Sequence, residues 1–174
     1  AQIRRVLDAG IQPSHMDSHQ HVHVLSPVWD VVMELAGYYH IPYIRVPSFQ
    51  AVCGRLRTPW ESVFRLGLNA LNRIRRGQLK GVRTADYTAA LHLSGRLKEA
   101  ELLDVLPRLR PAICELVVHP GITTSALQAQ YPSWEFDWTG ELLGLISPEV
   151  RCAVESESVV LVNYRELGER GIKE

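Results

Sequence analysis

Residues 113–121 read ICELVVHPG, and the first seven of them form the clearest strand of the chain. The run is rich in β-branched residues, and the Pro-Gly pair after it forces a turn. Shorter apolar runs at 41–46, 87–93 and 159–162 also predict strands. Helical patterns separate these runs, and the strands are apolar on both faces. The order predicts an α/β protein with a mostly parallel sheet covered by helices.

The helices carry boundary signals. Gly10 stands where a glycine closes a helix that covers residues 1–9, and Pro107 stops a helix over 98–106. Three proline-containing starts are predicted at Ser26-Pro27, Thr58-Pro59-Trp60-Glu61 and Ser147-Pro148-Glu149. The remaining predicted segments are an aromatic loop over 122–139, a short helix over 141–145 and a last helical turn over 164–169.

Composition excludes several classes of protein. Lys plus Arg equals Asp plus Glu at 19 each, so no net positive field argues for a nucleic-acid partner. The basic stretch 65–83 is interpreted as a solvated helix face. Three widely spaced cysteines and no apolar run long enough for a membrane span predict a cytoplasmic protein with reduced thiols. No phosphate-binding glycine loop and no GxSxG motif is present.

One stretch concentrates the imidazoles: residues 15–23 read HMDSHQHVH. If it is a strand, Asp17, His19, His21 and His23 share one face, and three imidazoles with a carboxylate suit a divalent metal. In the alternative geometry the strand ends near His19, and the two later histidines lie in a loop. Loops after parallel strands are where α/β folds place their sites. We favour a functional interpretation over a purely structural one.

Three other features could contribute. His119 ends the 113–119 strand and could act as a general acid, or could instead bond the backbone of the turn. Arg45 leaves the 41–46 strand and could hold substrate or pair with Glu115. The aromatic loop, YPSWEFDW at 131–138, could stack on a sugar, although such a cluster more often caps a core.

The eleven residues 13–23, PSHMDSHQHVH, resemble the P-[ST]-H-x-D-S-H-x-H-x-H signature of YdjC-like carbohydrate deacetylases. The segment IRVP at 44–47 resembles the family's IRxP strand end, and ELVVHPG at 115–121 resembles its ELxxHPG motif. The tail over 141–167 is similar to its carboxyl-terminal end. Within the family, the aromatic loop and the tail resemble most the branch associated with hopanoid biosynthesis.

The resemblance implies a (β/α) barrel of the polysaccharide-deacetylase-like type that removes N-acetyl groups from amino sugars with a divalent metal. Magnesium is the expected ion, with zinc as the alternative. Of the family's three metal ligands only one maps here, onto His19. The N-A-D-D and G-x-H-L motifs that supply the others are expected before Ala1. The chain is therefore expected to be a carboxyl-terminal portion, one incomplete domain over 1–174 with its first strands missing, and inactive by itself.

By the same resemblance His119 and Asp17 take the catalytic roles. His119 would protonate the leaving amine or stabilise the oxyanion, and Asp17 would orient an imidazole. Arg45, His21 and His23 would bind substrate. The expected partner is an N-acetylated amino sugar or a glycolipid, and a homo-oligomer is a further expectation. Two alternatives stay open: a non-catalytic metal-binding or interaction fragment, and another HxH hydrolase of the amidohydrolase type.

Overall fold

A computed structural model describes residues 1–50 and 59–169 of the chain. The chain divides into two compact units. The first comprises residues 1–47, 66–85 and 161–174, and the second comprises residues 48–65 and 86–160. The prediction of a single domain over 1–174 stays a prediction.

The first unit is built around a two-stranded parallel sheet. Strand β1 (His15–Met16) pairs with β2 (Tyr43–Ile44), with His15 opposite Tyr43 and Met16 opposite Ile44. Arg83 extends the pairing through a parallel bridge to Tyr43. Among the described residues, the α-helices that contribute to this unit are α1 (Gln2–Asp8), α2 (Val28–Tyr38), the carboxyl-terminal half of α3 (Pro59–Arg76) and α8 (Tyr164–Glu169).

The core of the first unit forms where α2 packs on β2. Trp29 and Ala36 of the helix are buried with Ile41, Ile44 and Val46. Seven residues separate Trp29 from Ala36, which places both on one face of α2. Val28 at the start of the helix is 42% exposed, so the buried face of α2 begins one residue later, at Trp29.

The second unit contains a three-stranded parallel sheet in the order β3 (Phe49–Gln50), β4 (Tyr87–Ala89) and β5 (Cys114–Leu116). Helices α4 (Glu99–Val105), α6 (Trp138–Leu145) and α7 (Pro148–Ser156) surround its core, and α5 (Ser125–Gln130) lies in the predicted loop. The described strands in both units pair in parallel, which confirms the predicted α/β class. Closure into a barrel stays a prediction.

A layer of aliphatic side chains fills the second unit between sheet and helices. Tyr87 of β4 is buried with Leu97, Leu102 and Val105 around α4, and Val150 of α7 completes the cluster. Burial of such side chains contributes about 2 kcal/mol each relative to exposure. No helix within residues 1–50 and 59–169 is both long enough and apolar enough to cross a membrane.

Two predicted helix boundaries are confirmed with their chemistry. Gly10 adopts φ +76° after α1, its N–H bonds to the carbonyl of Leu7, and that of Ile11 bonds to Val6. This is the pair of bonds by which a left-handed residue closes a helix. Ser147 caps α7, because its Oγ accepts from the N–H groups of Glu149 and Val150.

Other predictions need correction. Residues 159–162 form no strand within the described chain, because the Val159 N–H bonds to the carbonyl of Val154 and closes α7 instead. Ser26 does not cap α2 through its side chain, which accepts from Arg75. The strands at 41–46, 87–93 and 113–119 exist but cover only two or three residues each. Thr58 lies outside the described residues, so its capping role is untested.

Candidate functional site

The histidine-rich segment is not a continuous strand. Strand β1 ends at Met16, and His19–Val24 consists of short 3₁₀-helical pieces joined at a kink, where Gln20 and His21 take left-handed conformations with φ of 51° and 57°. The geometry that placed Asp17, His19, His21 and His23 on one strand face is therefore wrong. The alternative, in which the strand ends near His19 and His21 and His23 lie beyond it, is right about these two histidines, but the strand ends three residues earlier, at Met16.

The side chain of Ser18 accounts for this local fold. Its Oγ accepts the backbone N–H of His23 at 3.0 Å and lies 2.7 Å from Nδ1 of the same residue. A hydroxyl that satisfies backbone groups five residues away competes directly with strand pairing. The segment therefore curls around Ser18 and does not continue along β2.

His23 is the most buried of the four histidines in this segment, with 1% of its surface exposed. Its Nε2 lies 2.6 Å from the carbonyl oxygen of Arg45. Because a carbonyl can only accept, Nε2 carries the proton, and Nδ1 of the neutral ring accepts from the Ser18 hydroxyl. Both ring nitrogens are thus engaged inside the protein. The predicted substrate-binding role of His23 stays a prediction.

Asp17 and Arg45 form an ion pair across the two strands of the first unit. Nη1 of Arg45 donates to Oδ2 of Asp17, with 16% of the Arg45 side chain and 38% of the Asp17 side chain exposed. Arg45 thereby contributes twice, with its carbonyl to His23 and its guanidinium to Asp17. Its pairing with Glu115, a residue of the second unit, stays a prediction.

His19 and His21 are placed differently from His23. His19 begins the 3₁₀-helical segment and is exposed. His21 is half-buried, and its ring lies edge-on to the ring of His23, with 6.3 Å between the two ring centroids. The described residues contain no group of three or more His, Cys, Asp or Glu side chains arranged to hold a metal ion. They therefore do not complete a metal site, and the ligand role of His19 stays a prediction.

Arg75 secures the end of this segment, a role that the sequence did not reveal. Its Nε donates to the Val24 carbonyl at 2.8 Å, its Nη2 donates to Ser26, and its guanidinium lies over the Trp29 ring at 5.4 Å. The interpretation of 65–83 as a solvated basic face is thus wrong for Arg75, which is buried. The cause is the apolar stem and planar fork of arginine, which suit it to buried contacts with backbone carbonyls.

The second unit holds His119, three residues beyond the end of β5. The imidazole is 36% exposed. Its Nδ1 lies 3.4 Å from Oγ of Ser94, and its ring centroid is 5.0 Å from that of Phe136. One side of the ring is therefore fixed by protein contacts while part of it is open to solvent.

Glu141 is the acid that accompanies His119, and the sequence reasoning missed it. It is fully buried at 0% exposure. Its Oε1 accepts the N–H of Leu97 at 3.0 Å, its Oε2 accepts the N–H of His119, and Oε2 lies 4.0 Å from His119 Nδ1. One signal was available: a single carboxyl group in the otherwise uncharged helix WTGELLGL. A buried acid needs partners, which makes such a residue conspicuous.

The predicted aromatic loop forms a row of half-buried rings beside His119. Tyr131, Trp134, Phe136 and Trp138 follow one another with centroid separations of 4.9, 5.0 and 6.0 Å. Phe136 lies directly on Gly95, where a Cβ atom would come within 2.2 Å of the ring. The row packs on the protein and keeps part of its surface open, so both the capping and the stacking interpretations remain.

Burial also changes two titrating groups on the strands that lead to this region. Desolvation raises the pKa of the Cys114 thiol, and it raises the pKa of Tyr87, whose hydroxyl bonds both backbone groups of Arg110. Both groups are therefore neutral near neutral pH, and neither supplies a charge to the site.

Comparison with known proteins gives consistent results. A family model described as YdjC-like protein matches residues 1–156. A carbohydrate deacetylase of Xenopus laevis is 30% identical over 148 residues, which cover 72% of this chain and 47% of that protein. A carbohydrate deacetylase of Clostridium beijerinckii is 22% identical over 167 residues, covering 95% and 58%. The chain spans about half the length of the curated relatives it matches.

A solved structure is also similar. It is that of a cellobiose-phosphate cleavage protein from Enterococcus faecalis, with a TM-score of 0.67 and 22% sequence identity. The match covers 95% of this chain and 57% of the solved chain. At this identity the likeness shows the fold alone, and it extends over almost all of the present chain.

Proposed function

The chain belongs to the YdjC-like protein family, and from this premise we propose that it acts as a carbohydrate deacetylase. The relatives that carry this activity in their names support the proposal. The observation in the structure that carries it furthest is the arrangement of His119, whose partly open imidazole is held beside a fully buried acid. An imidazole held in this way is suited to move a proton in amide hydrolysis.

Amide hydrolysis needs a group that protonates the departing amine. We assign this step to His119, which as the imidazolium transfers its proton to the nitrogen as the bond to the acetyl carbon breaks. In this proposal the substrate is an N-acetylated amino sugar or a glycolipid. We also propose substrate-binding roles for Arg45 and His21 of the first unit, where Asp17 orients its ion-pair partner Arg45. His23, which is buried, would contribute to binding through the Arg45 carbonyl that it contacts.

We further propose that the activity depends on a divalent metal, magnesium or alternatively zinc, with His19 as one ligand. When bound, such an ion polarises the acetyl carbonyl and lowers the pKa of water. The described residues do not complete its ligand set, so we derive no step of the reaction through it. A partial (β/α) barrel, membership of the branch associated with hopanoid biosynthesis and a cytoplasmic location also belong to this proposal.

Acetate release from N-acetylglucosamine oligomers tests the proposal. The assay uses the chain alone and the chain joined to the amino-terminal part of the Xenopus laevis relative, each with and without magnesium or zinc. We expect metal-dependent acetate release from the joined protein and a loss of at least about 100-fold in His119→Asn, the size of a general-acid contribution. His19→Asn should weaken metal binding measured by calorimetry.

The matched control is His40→Asn, because His40 is an exposed histidine whose left-handed backbone asparagine tolerates. It should retain full activity and metal affinity. If the joined protein folds and releases no acetate with either metal, the deacetylase proposal is wrong. The alternative, a non-catalytic metal-binding or interaction fragment, would then be favoured. Full activity in His119→Asn would contradict the assignment of the proton donor.

A further inference from the structure

The buried carboxyl of Glu141 joins three separate parts of the second unit. It stands on α6, and its two oxygens accept backbone N–H groups from Leu97, which follows β4, and from His119, which follows β5. Each of the two oxygens is therefore committed to one backbone N–H group. Because Glu141 is fully buried, the positions of these two backbone segments are tied to a single side chain.

The helix that carries Glu141 is itself fixed in place. Asp137 caps it by accepting the N–H of Gly140 at 2.9 Å. At Gly144, one turn after Glu141, a Cβ atom would lie 2.7 Å from the backbone nitrogen of Glu99. The two helices α6 and α4 therefore meet backbone to backbone at this point. Such a contact leaves the Glu141 carboxyl little freedom to move relative to the amides that it binds.

Two oxygens face the same nitrogen of the His119 ring. Glu141 Oε2 lies 4.0 Å from Nδ1, and Ser94 Oγ lies 3.4 Å from it. A negative group on the Nδ1 side favours the form of the neutral ring that carries its proton on Nδ1. The other nitrogen, Nε2, is then the one left to accept or donate a proton outside the protein.

We propose that Glu141 is a positioning residue: it fixes the backbone of His119 and selects the Nδ1–H form of its ring, so that Nε2 serves the substrate. The chemistry assigned to Nε2 rests on the proposed deacetylase function. The positioning itself does not, since it concerns only the ground state of the folded chain. Carboxylates that orient an imidazole through its second nitrogen are a recurrent device in catalytic and metal-binding histidines.

The test measures which tautomer His119 adopts. It uses two-dimensional ¹⁵N–¹H NMR of the full chain with ¹⁵N-labelled histidine rings, at a pH at which the imidazole is neutral. We expect Nδ1–H as the major form in the wild type. Glu141→Gln should shift the major form to Nε2–H, because the negative charge beside Nδ1 is removed. The matched control is Glu149→Gln, the same chemical change at an exposed position, which should leave the His119 spectrum unchanged.

Two results would overturn the proposal: Nε2–H as the major form in the wild type, or retention of Nδ1–H in a folded Glu141→Gln variant. If Glu141→Gln does not fold by circular dichroism, the wild-type spectrum and Ser94→Ala decide. Loss of the Nδ1–H form in Ser94→Ala would assign the orientation to the hydroxyl and contradict the role of Glu141. These spectra do not depend on whether the chain is a deacetylase. The positioning role of Glu141 and the proposed function can therefore be refuted independently of each other.

Discussion

Two histidine regions of this protein differ in how the histidines are held. In the first unit, four histidines lie within nine residues, yet His23 is locked between a serine hydroxyl and a backbone carbonyl. In the second unit His119 stands alone in its segment, with its Nδ1 side facing a buried acid and its ring partly open. In the first region an imidazole holds the fold of the chain, whereas in the second region the single ring of His119 is partly exposed to solvent.

The difference follows from the local backbone. Around Ser18 the chain folds on itself, and the two ring nitrogens of His23 connect Ser18 to Arg45, the residue that follows β2. Around His119 the cross-link is supplied by Glu141, so the histidine is not needed for it. The two histidines therefore differ in whether the imidazole itself or another side chain holds the neighbouring backbone.

The largest expected effect is on the first region. His23→Ala removes a fully buried ring and leaves the Ser18 hydroxyl and the Arg45 carbonyl without it, so we expect a loss of about 3 kcal/mol in the free energy of unfolding. Urea denaturation measures this loss. The control, His19→Ala, changes an exposed residue and should cost less than about 0.5 kcal/mol. Equal losses would break the distinction between the two histidines.

The next effect concerns the packing around His119. Gly95→Ala places a Cβ atom within 2.2 Å of the Phe136 ring and requires a left-handed alanine, so we expect a loss of about 2 to 3 kcal/mol. Gly81 also has a positive φ, but a Cβ atom there would meet open space, so Gly81→Ala should cost only about 1 kcal/mol. Thermal and urea unfolding measure both variants. A similar cost at the two sites would show that Phe136 yields easily.

A smaller effect is expected from the Asp17–Arg45 ion pair. The pair is partly exposed, so a double-mutant cycle with Asp17→Asn and Arg45→Gln should give a coupling energy of about 0.5 to 1 kcal/mol. The coupling should weaken in high salt because the Asp17 side chain is accessible to solvent. A coupling energy that is large and independent of salt would mean that the pair behaves as a buried one. The acid of the first region would then resemble the buried Glu141 of the second.

The smallest effect on stability is expected at Glu149, which is an exposed acid, unlike the buried Glu141. The backbone N–H of Glu149 itself and the Ser147 hydroxyl hold the pKa of Glu149 below its usual value of 4.5. A pKa that is lower in the folded than in the unfolded state stabilises the folded protein at pH values above the unfolded-state pKa. This stabilisation is lost as the pH falls through the folded-state pKa. Wild type should therefore melt slightly above Glu149→Gln near neutral pH, and the difference should vanish in strong acid. A difference that grows in acid would contradict the sign.

The sequence predicted those parts of the fold whose signals are local. Gly10 and Ser147-Pro148 marked helix boundaries because the chemistry of a cap lies in the residues themselves. Apolar runs predicted parallel strands, since burial on both faces excludes alternation. Two helix ends with the same left-handed geometry, at His40 and Ser158, were missed because neither is glycine.

The site was predicted less completely, for a physical reason. The alternating pattern of residues 17–23 predicts a strand. The Ser18 hydroxyl accepts the N–H of His23, five residues further along the chain, and this bond redirects the backbone. Glu141 was missed because its partners, Leu97 and His119, lie 44 and 22 residues away in sequence. Contacts at such separations depend on the packing of whole helices, which hydrophobic patterns do not specify.

Gly144 has a consequence for how this protein can vary. The backbone of α4 occupies the space that any side chain there would need. Even an alanine would push α6 outward and draw the Glu141 carboxyl away from two amides at once. In a saturation mutagenesis screen we would therefore expect Gly144 to tolerate no replacement, and its variants to share the phenotype of changes at His119 although the glycine has no chemistry of its own.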